Sequence, residues 1–365
     1  MSYSLSVSTT EGTSGTAILT GSNTLMMIPQ EFTTSSNIKI DFTDKYGENH
    51  SLSYTLNGNS WAKGNLVSYT VNATNISYKY LYNPLWYMAE TNVKAYNSST
   101  KVVTLESNST SIGSGSCWNW ATAMTYFSAT HNTTQYDGYK IGDIKDSKGS
   151  VFTYHLPTSR EFASIVGFIN ETDIFKESSV PKATILNDGT NNKCRFGYSN
   201  STRNSDVTDI SYWSSYSTNL RYAIRYLGTD YCSVWKYQLN TTTGVLTISA
   251  KLIDKIGTTE TTKMAATMST ISSASAAYWN ENVLAGSIQR NMYMAGYYRN
   301  GGAGGNGVAE TSIGTIAYYW DTTDTFNGGR SCPHYLGFFS EKLYIRVTDG
   351  GTQWGYPIRL FRVVQ

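Results

Sequence analysis

Along residues 1 to 76 apolar and polar positions alternate with the period of two that a β-strand imposes. Ser4–Thr9 alternates, Thr16–Leu19 is a short β run, Leu25–Pro29 is apolar, and Ile38–Phe42 alternates cleanly. Lys45–Glu48 marks a turn, Ser51–Leu56 is placed to pair back onto 38–42, Asn57-Gly58 is a second turn signal, and Asn65–Thr74 closes the region as a strand. No helical periodicity interrupts them. The pattern predicts a β-sandwich of about six short strands, where an immunoglobulin-like sandwich has about seven. A sandwich one strand short exposes an edge that a partner strand can fill.

The character changes after Asn83-Pro84. Cys117, Trp120, Ala121, Met124, Phe127 and His131 fall at helical spacing and predict a helix over 117–131. A second helix is predicted from Leu156-Pro-Thr-Ser-Arg-Glu-Phe162. Thr158 stands as its cap and Glu161 three residues on completes a capping box, with Phe162, Ile165, Val166 and Ile169 on one face. Strands return at Tyr222–Leu227, Cys232–Leu239, Val245–Leu252, Leu343–Val347 and Tyr356–Val364. Helices followed by many strands predict an α+β second domain over 77–365. Tyr212-Trp213-Ser-Ser and Tyr319-Trp320-Asp-Thr each precede a strand, which suggests two similar Trp-bearing turns.

Composition adds a location. Only 15% of the 365 residues are charged, and the net charge is +2, against about 25% charged in an ordinary soluble chain. Tyr alone, at 29, outnumbers Phe, at 12, and Trp, at 9, together. A net charge near zero argues against a nucleic-acid partner, since binding phosphates needs a concentrated basic face. No run reaches the length of a membrane span. The N-terminus lacks a signal peptide's basic and apolar regions. The chain is therefore cytosolic or a trimmed mature form, and the uncharged, hydrogen-bonding composition favours the trimmed form. Asn-x-Ser/Thr triplets such as those at Asn75 and Asn108 arise by chance in so Asn-rich a sequence.

Candidate chemistry is thin. His50, His131, His155 and His334 are scattered, and none sits in a nucleophile motif. Cys117, Cys194, Cys232 and Cys332 have no zinc or redox spacing; buried thiols and disulfides both remain open. Gly301–Gly307 lacks the end of a phosphate loop and reads as a surface loop. Asp137, Asp143 and Asp146, or Asp206 and Asp209, have no EF-hand spacing, and Trp279-Asn280-Glu281 is only a weak approach to a calcium-lectin motif. No metal or cofactor is expected. The aromatic residues are the remaining signal, because sugar rings pack an apolar face on Trp or Tyr while their hydroxyls take neutral partners. Tyr297, Tyr298 and Arg299, beside the Gly-rich loop, with Tyr318 and Trp320, form the candidate platform. The competing reading, which the weight of large aromatics in cores favours, makes Trp213 and Trp320 core anchors of the domain.

Two segments resemble known families. Leu25–Gln30, Ile38–Asp41, Trp61-Ala-Lys-Gly64 and Tyr69-Thr-Val resemble the C-terminal domain of the Bacteroidales fimbrillin family. Asn83-Pro-Leu-Trp, Trp118–Ala123, Leu156–Phe162, Tyr212–Ser215, Ser233–Tyr237, Ala295–Gly301, Tyr318–Trp320 and Gly355–Val364 resemble, in order, the major paralogous domain family first named from Fibrobacter. The resemblances imply a transthyretin- or immunoglobulin-like sandwich joined to a C-type-lectin-like domain. They imply a non-enzymatic, extracellular adhesive subunit at the outer membrane, a fimbrial tip or accessory protein. Its partners would be other pilus subunits through a donated strand, and a host or bacterial surface glycan or protein. The fimbrillin family carries a further N-terminal β-domain, so the expectation is a short gene or a removed N-terminal part. The alternatives are a surface glycan-binding lipoprotein of a polysaccharide-utilisation system, and an enzyme on a formylglycine-generating scaffold, which needs a reactive, accessible cysteine.

Overall fold

A computed structural model describes residues 2–8, 14–20, 30–31, 37–43, 49–55, 60–61, 79–107, 116–127, 144–146, 152–166, 193–196, 207–209, 212–217, 219–252, 287–298, 306–308, 311–327, 330–339, 342–347 and 354–363. The expected strands at 25–29 and 65–74, the turns at 45–48 and 57–58, His131, Asp137, Asp143, Ile169, Asp206, Trp279–Glu281, Arg299 and most of the Gly-rich loop lie outside them. The chain divides into two compact units, residues 1–78 and 79–365. It is mainly β.

The first unit contains β1 (Ser2–Ser8), β2 (Ser14–Thr20), β3 (Gln30–Glu31), β4 (Asn37–Thr43), β5 (Asn49–Thr55) and β6 (Ser60–Trp61). Four of them form an antiparallel sheet in the order β2-β1-β4-β5, and β3 with β6 makes a separate short ladder. The expected return of 51–56 onto 38–42 is present: Ile38 lies opposite Tyr54, Ile40 opposite Leu52 and Phe42 opposite His50. Among the described residues the sheet's outer strands are β2 and β5.

The second unit opens with a 3₁₀ turn at Lys79–Tyr82, then α1 (Pro84–Tyr87), β7 (Val93–Asn97), β8 (Val102–Leu105), β9 (Ser116–Asn119), α2 (Trp120–Phe127), β10 (Ile144–Asp146), β11 (Thr153–His155) and α3 (Ser159–Val166). There follow β12 (Lys193–Cys194), β13 (Val207–Thr208), β14 (Tyr212–Ser217), β15 (Leu220–Arg225), β16 (Ser233–Asn240), β17 (Val245–Leu252) and β18 (Ile288–Tyr293). Last come β19 (Asn306–Val308), β20 (Ile316–Asn327), β21 (Arg330–Phe339), β22 (Lys342–Val347), β23 (Gly355–Tyr356) and β24 (Phe361–Val363). Strands β14 to β18 form a five-stranded antiparallel meander, and β20 to β22 a three-stranded one. A mixed sheet runs β24-β11-β10-β8-β7, and a small one runs β19-β9-β23.

Two expectations are corrected. Cys117 does not begin a helix: Ser116–Asn119 is a strand held between β19 and β23, and α2 starts only at Trp120. Both of those ladder partners are nearly 200 or more residues away along the chain, so a local 3.6-residue pattern does not see them. The Trp-bearing segments are not turns. Trp213 lies within β14 opposite Ala223, and Trp320 lies within β20 opposite Tyr335.

Helix α3 has the start its sequence prescribes. The Glu161 carboxylate accepts from the Thr158 backbone N–H at 2.8 Å, and the Thr158 hydroxyl accepts from the Glu161 N–H at 3.2 Å. That is the reciprocal capping box. Nearly the whole helix is buried, so its end carbonyls need internal partners as well. Arg225 donates to the Ala163 and Ile165 carbonyls at 2.6 Å each, and the Tyr226 and Tyr237 hydroxyls donate to Ser164 and Ile165 at 2.6 Å. Thr158→Ala removes one cap acceptor and is expected to lower the stability of the second unit by about 1 kcal/mol. Urea denaturation followed by tryptophan fluorescence checks it, and an unchanged midpoint contradicts it.

Candidate functional site

The segment Gly296–Tyr298 sews three parts of the second unit together. Gly296 N–H donates to the Ile316 carbonyl at 2.9 Å, Tyr297 exchanges two hydrogen bonds with Thr311, and Tyr298 exchanges two with Gly355. Gly296 has φ +70°, and a Cβ there would lie 2.3 Å from the Thr311 carbonyl oxygen, so only glycine allows this crossing. With its backbone fixed on both sides, the Tyr297 ring is delivered to one place.

Around that ring a row of aromatic side chains runs from the surface inward. Tyr297 and Trp354 stack with centroids 5.7 Å apart and planes at 25°. Tyr318 lies 5.7 Å from Tyr297 and 5.0 Å from Tyr356, and Tyr356 stacks on Trp320 at 4.0 Å and 28°. Tyr335 closes the inner end, 5.0 Å from Tyr318. Tyr318 and Trp320 share a face of β20 because strand side chains repeat every two residues. Gly337 lies directly across from Tyr318, and a Cβ on it would meet the Tyr318 and Tyr344 rings at 3.1 and 2.9 Å. A bare glycine thus lets the two rings close over the strand.

Of the residues expected at a ligand platform, Tyr297, Tyr298 and Tyr318 are half-buried; the Tyr297 and Tyr318 rings meet, while Tyr298 is placed by its backbone pairing with Gly355. Trp320 is 0% exposed, and its indole N–H donates to the Trp118 carbonyl at 2.8 Å. It anchors the core and presents no face to a ligand. Arg299 lies outside the described residues. The sequence reading missed Trp354, Tyr356 and Tyr335, which come from distant strands and turns. The Trp-Gly-Tyr run at 354–356, two aromatics around a glycine, was the available signal. Burial, then the neighbouring Tyr335, Tyr318 and Tyr297 hydroxyls, push the Tyr356 hydroxyl far above the ordinary tyrosine range, so this inner ring stays neutral. The platform is uncharged at its base.

A second polar constellation lies under α3. Ser159 Oγ is 2.7 Å from Asp321 Oδ2 and 3.0 Å from His334 Nδ1. These are the residue types of a nucleophilic triad in the wrong order. In that mechanism the imidazole stands between hydroxyl and carboxylate and is oriented by the acid. Here the hydroxyl stands between the other two, and all three are 0% exposed. Asp321 Oδ1 also accepts from the Thr323 N–H at 2.7 Å, and the Asp321 carbonyl accepts from the Trp120 indole at 3.0 Å. The arrangement ties the start of α3 to the β20–β21 hairpin.

The four cysteines are all buried. Burial pushes Cys117 up to about 12, the opposite of what a nucleophilic thiolate needs. Among the described residues no three His, Cys, Asp or Glu side chains gather as a metal ion would require, and no helix is long and apolar enough to cross a membrane.

A family model described as Domain of unknown function (DUF8237) matches residues 81–361. No curated protein and no solved structure matches the chain.

Proposed function

The chain belongs to the DUF8237 family over most of its second unit, a family whose description names no activity, and from that premise we propose that the unit is a recognition domain for neutral glycans. The observation that carries this reading is the half-buried aromatic row of Tyr297, Trp354 and Tyr318 on a rigid backbone crossing. Flat rings stack on the apolar face of a pyranose. Holding them fixed before binding spares the ordering cost that flexible side chains incur. A net charge of +2 over 365 residues supplies no strong field for an anionic ligand.

The same reading makes the chain an extracellular adhesive subunit of the fimbrial tip or accessory kind. Its second unit has a C-type-lectin-like fold. Its first unit is a sandwich mount, attached to a neighbouring subunit by a donated strand. The support for the mount is the antiparallel sheet whose outer strands, among the described residues, are β2 and β5, since terminal strands offer backbone groups for pairing.

In a glycan array followed by calorimetry, Trp354→Ala and Tyr297→Ala are each expected to weaken binding roughly tenfold, as loss of an aromatic anchor does. Tyr297→Phe keeps the ring and is expected to change affinity little. A glycan bound equally well by the wild type and by Trp354→Ala removes the reading.

A further inference from the structure

The rings of the Tyr297 row are not equivalent. Tyr297 stacks on the half-buried Trp354 with centroids 5.7 Å apart and planes at 25°. Near-parallel rings at that separation cover part of each other's faces, so one indole face belongs to Tyr297. Tyr356 meets the indole obliquely, at 6.4 Å and 64°. Tyr297 itself is also flanked by Tyr318 at 5.7 Å and 52°, and by Tyr356 edge-on at 6.3 Å and 88°. Tyr297 is the ring in the middle, and Trp354 is the ring at the end.

The backbone beside these rings is already committed. Tyr297 exchanges both of its backbone bonds with Thr311, and Tyr298 exchanges both with Gly355, at 2.9–3.2 Å. Gly355 pairs on its other side with Asn119 of β9. It fits there only because it is bare: a Cβ would lie 3.0 Å from the Tyr298 Cβ and 3.2 Å from the Cys117 Cβ. The chain that carries Trp354 is therefore pinned, and the N–H donors of Tyr297, Tyr298 and Gly355 are spent inside the fold. A sugar on the indole finds no backbone donor among these three. Discrimination then falls on how well its C–H groups cover one flat face.

Pyranoses differ in that respect. In a gluco ring the hydroxyls are equatorial, so both faces carry C–H bonds and neither gathers them. In a galacto ring the hydroxyl on carbon four is axial and stands on one face. The opposite face then collects the C–H bonds of carbons three, four and five into one patch. A slot between two aromatic planes suits the first sugar, and a single plane suits the second.

We propose that Trp354 is the ring that stacks on the ligand, that Tyr297 positions it, and that the sugar is a pyranose of galacto configuration with its axial hydroxyl turned away from the indole. The proposal deepens the glycan reading of this row and rests on it. Tyr297, held at both backbone groups and packed among Trp354, Tyr318 and Tyr356, sets the plane of the indole before the sugar arrives, which spares the cost of ordering it on binding. The axial hydroxyl, facing away, keeps its water.

The test is saturation-transfer NMR on the full chain with the methyl β-glycosides of galactose and glucose and with methyl α-mannoside. The galactoside is expected to bind roughly tenfold more tightly than either of the others. Its saturation is expected to concentrate on the protons of carbons three, four and five, a map that needs no variant. Trp354→Ala is expected to lower galactoside affinity roughly tenfold. Adding Tyr297→Ala to Trp354→Ala is expected to lower it no further, because a positioning residue then has nothing left to position. Equal binding of galactoside and glucoside, or saturation spread evenly round the ring, overturns the galacto assignment and leaves a glycan site standing. A further tenfold loss in the double variant overturns the positioning role of Tyr297. A chain that binds no sugar, here or on the glycan array, removes the glycan reading and this proposal with it.

Discussion

Arg225→Met is expected to destabilise the second unit by about 3–5 kcal/mol, the range for breaking one side of a buried ion pair. Arg225 is 0% exposed, and its guanidinium is shared among five oxygens. Asp209 Oδ2 accepts at 2.9 Å, the Ala163 and Ile165 carbonyls at 2.6 Å, the Tyr226 hydroxyl at 2.8 Å and the Tyr237 hydroxyl at 3.1 Å. Burial alone would lower its pKa, but the Asp209 carboxylate and the surrounding hydroxyls hold it well above the ordinary arginine value. Met fills much the same volume and makes none of these bonds. It takes the guanidinium away from the buried Asp209 carboxyl and leaves the last carbonyls of α3 with fewer donors. Arg225→Lys is expected to rescue little, because a point charge with three donors cannot replace a planar fork. Removing the acid as well, in Arg225→Met with Asp209→Leu, is expected to recover part of the loss. Chemical denaturation of the four proteins decides it: a single-variant loss under 1 kcal/mol, or a double variant no better than the single, rules out this account of α3.

The same helix marks how far the sequence could be read. Its N-terminus was legible because a capping box is local: Thr158 and Glu161 are three residues apart and carry the whole signal. Strand β17 was legible at both ends, since a β-branched, apolar run with turn residues before it needs no distant partner to be recognised. The C-terminus of α3 was not, because its donors sit on β15 and β16, about 60 to 70 residues on. Strand β9 failed for the same reason. Cys117, Trp120 and Ala121 fit a helical spacing, and only the ladders to β19 and β23 overrule it at Cys117. The candidate platform divides along this line too. Tyr297, Tyr298 and Tyr318 were visible as dense aromatics beside a glycine. Trp354, their stacking partner, enters from the far end of the chain, and the burial of Trp320 depends on Tyr356 and Trp118 covering it. Composition could supply the tyrosines, but it could not say which of them face outward.

A second large effect is expected in the pH dependence of stability, and it comes from the Asp321–Ser159–His334 tie. Burial, offset in part by the hydrogen bonds from Ser159 and Thr323, raises the Asp321 carboxyl from 3.8 to about 8. Burial lowers the His334 imidazole from 6.5 to about 3. Near neutral pH each is held in its uncharged form, with Ser159 Oγ between them at 2.7 Å from Asp321 Oδ2 and 3.0 Å from His334 Nδ1. For Asp321 the folded state keeps a proton that the unfolded chain gives up above about 4, so its contribution is full below that point and is lost as pH rises to about 8. For His334 the unfolded chain takes a proton below 6.5 that the folded state refuses until about 3, so its contribution is lost as pH falls through that window. Between about 4 and 6.5 the two slopes oppose and cancel. Above 6.5 only Asp321 still titrates, and it is expected to cost about 2 kcal/mol by pH 8. Below about 4 only the His334 slope remains. Glu161, which presses on Asp321 from α3 and is itself bonded to His155 at 2.8 Å, is present in every variant and drops out of their differences. Asp321→Asn keeps an acceptor for the Thr323 N–H and a hydrogen-bonding group beside Ser159, and is expected to flatten the limb between pH 6.5 and 8. His334→Gln is expected to flatten the acid limb and leave the alkaline one. Denaturant midpoints for the three proteins at pH 3.5, 5.5, 7 and 8 test both limbs. If wild type and Asp321→Asn lose stability in parallel from pH 6.5 to 8, the carboxyl is already ionised in the folded protein and the neutral tie does not exist.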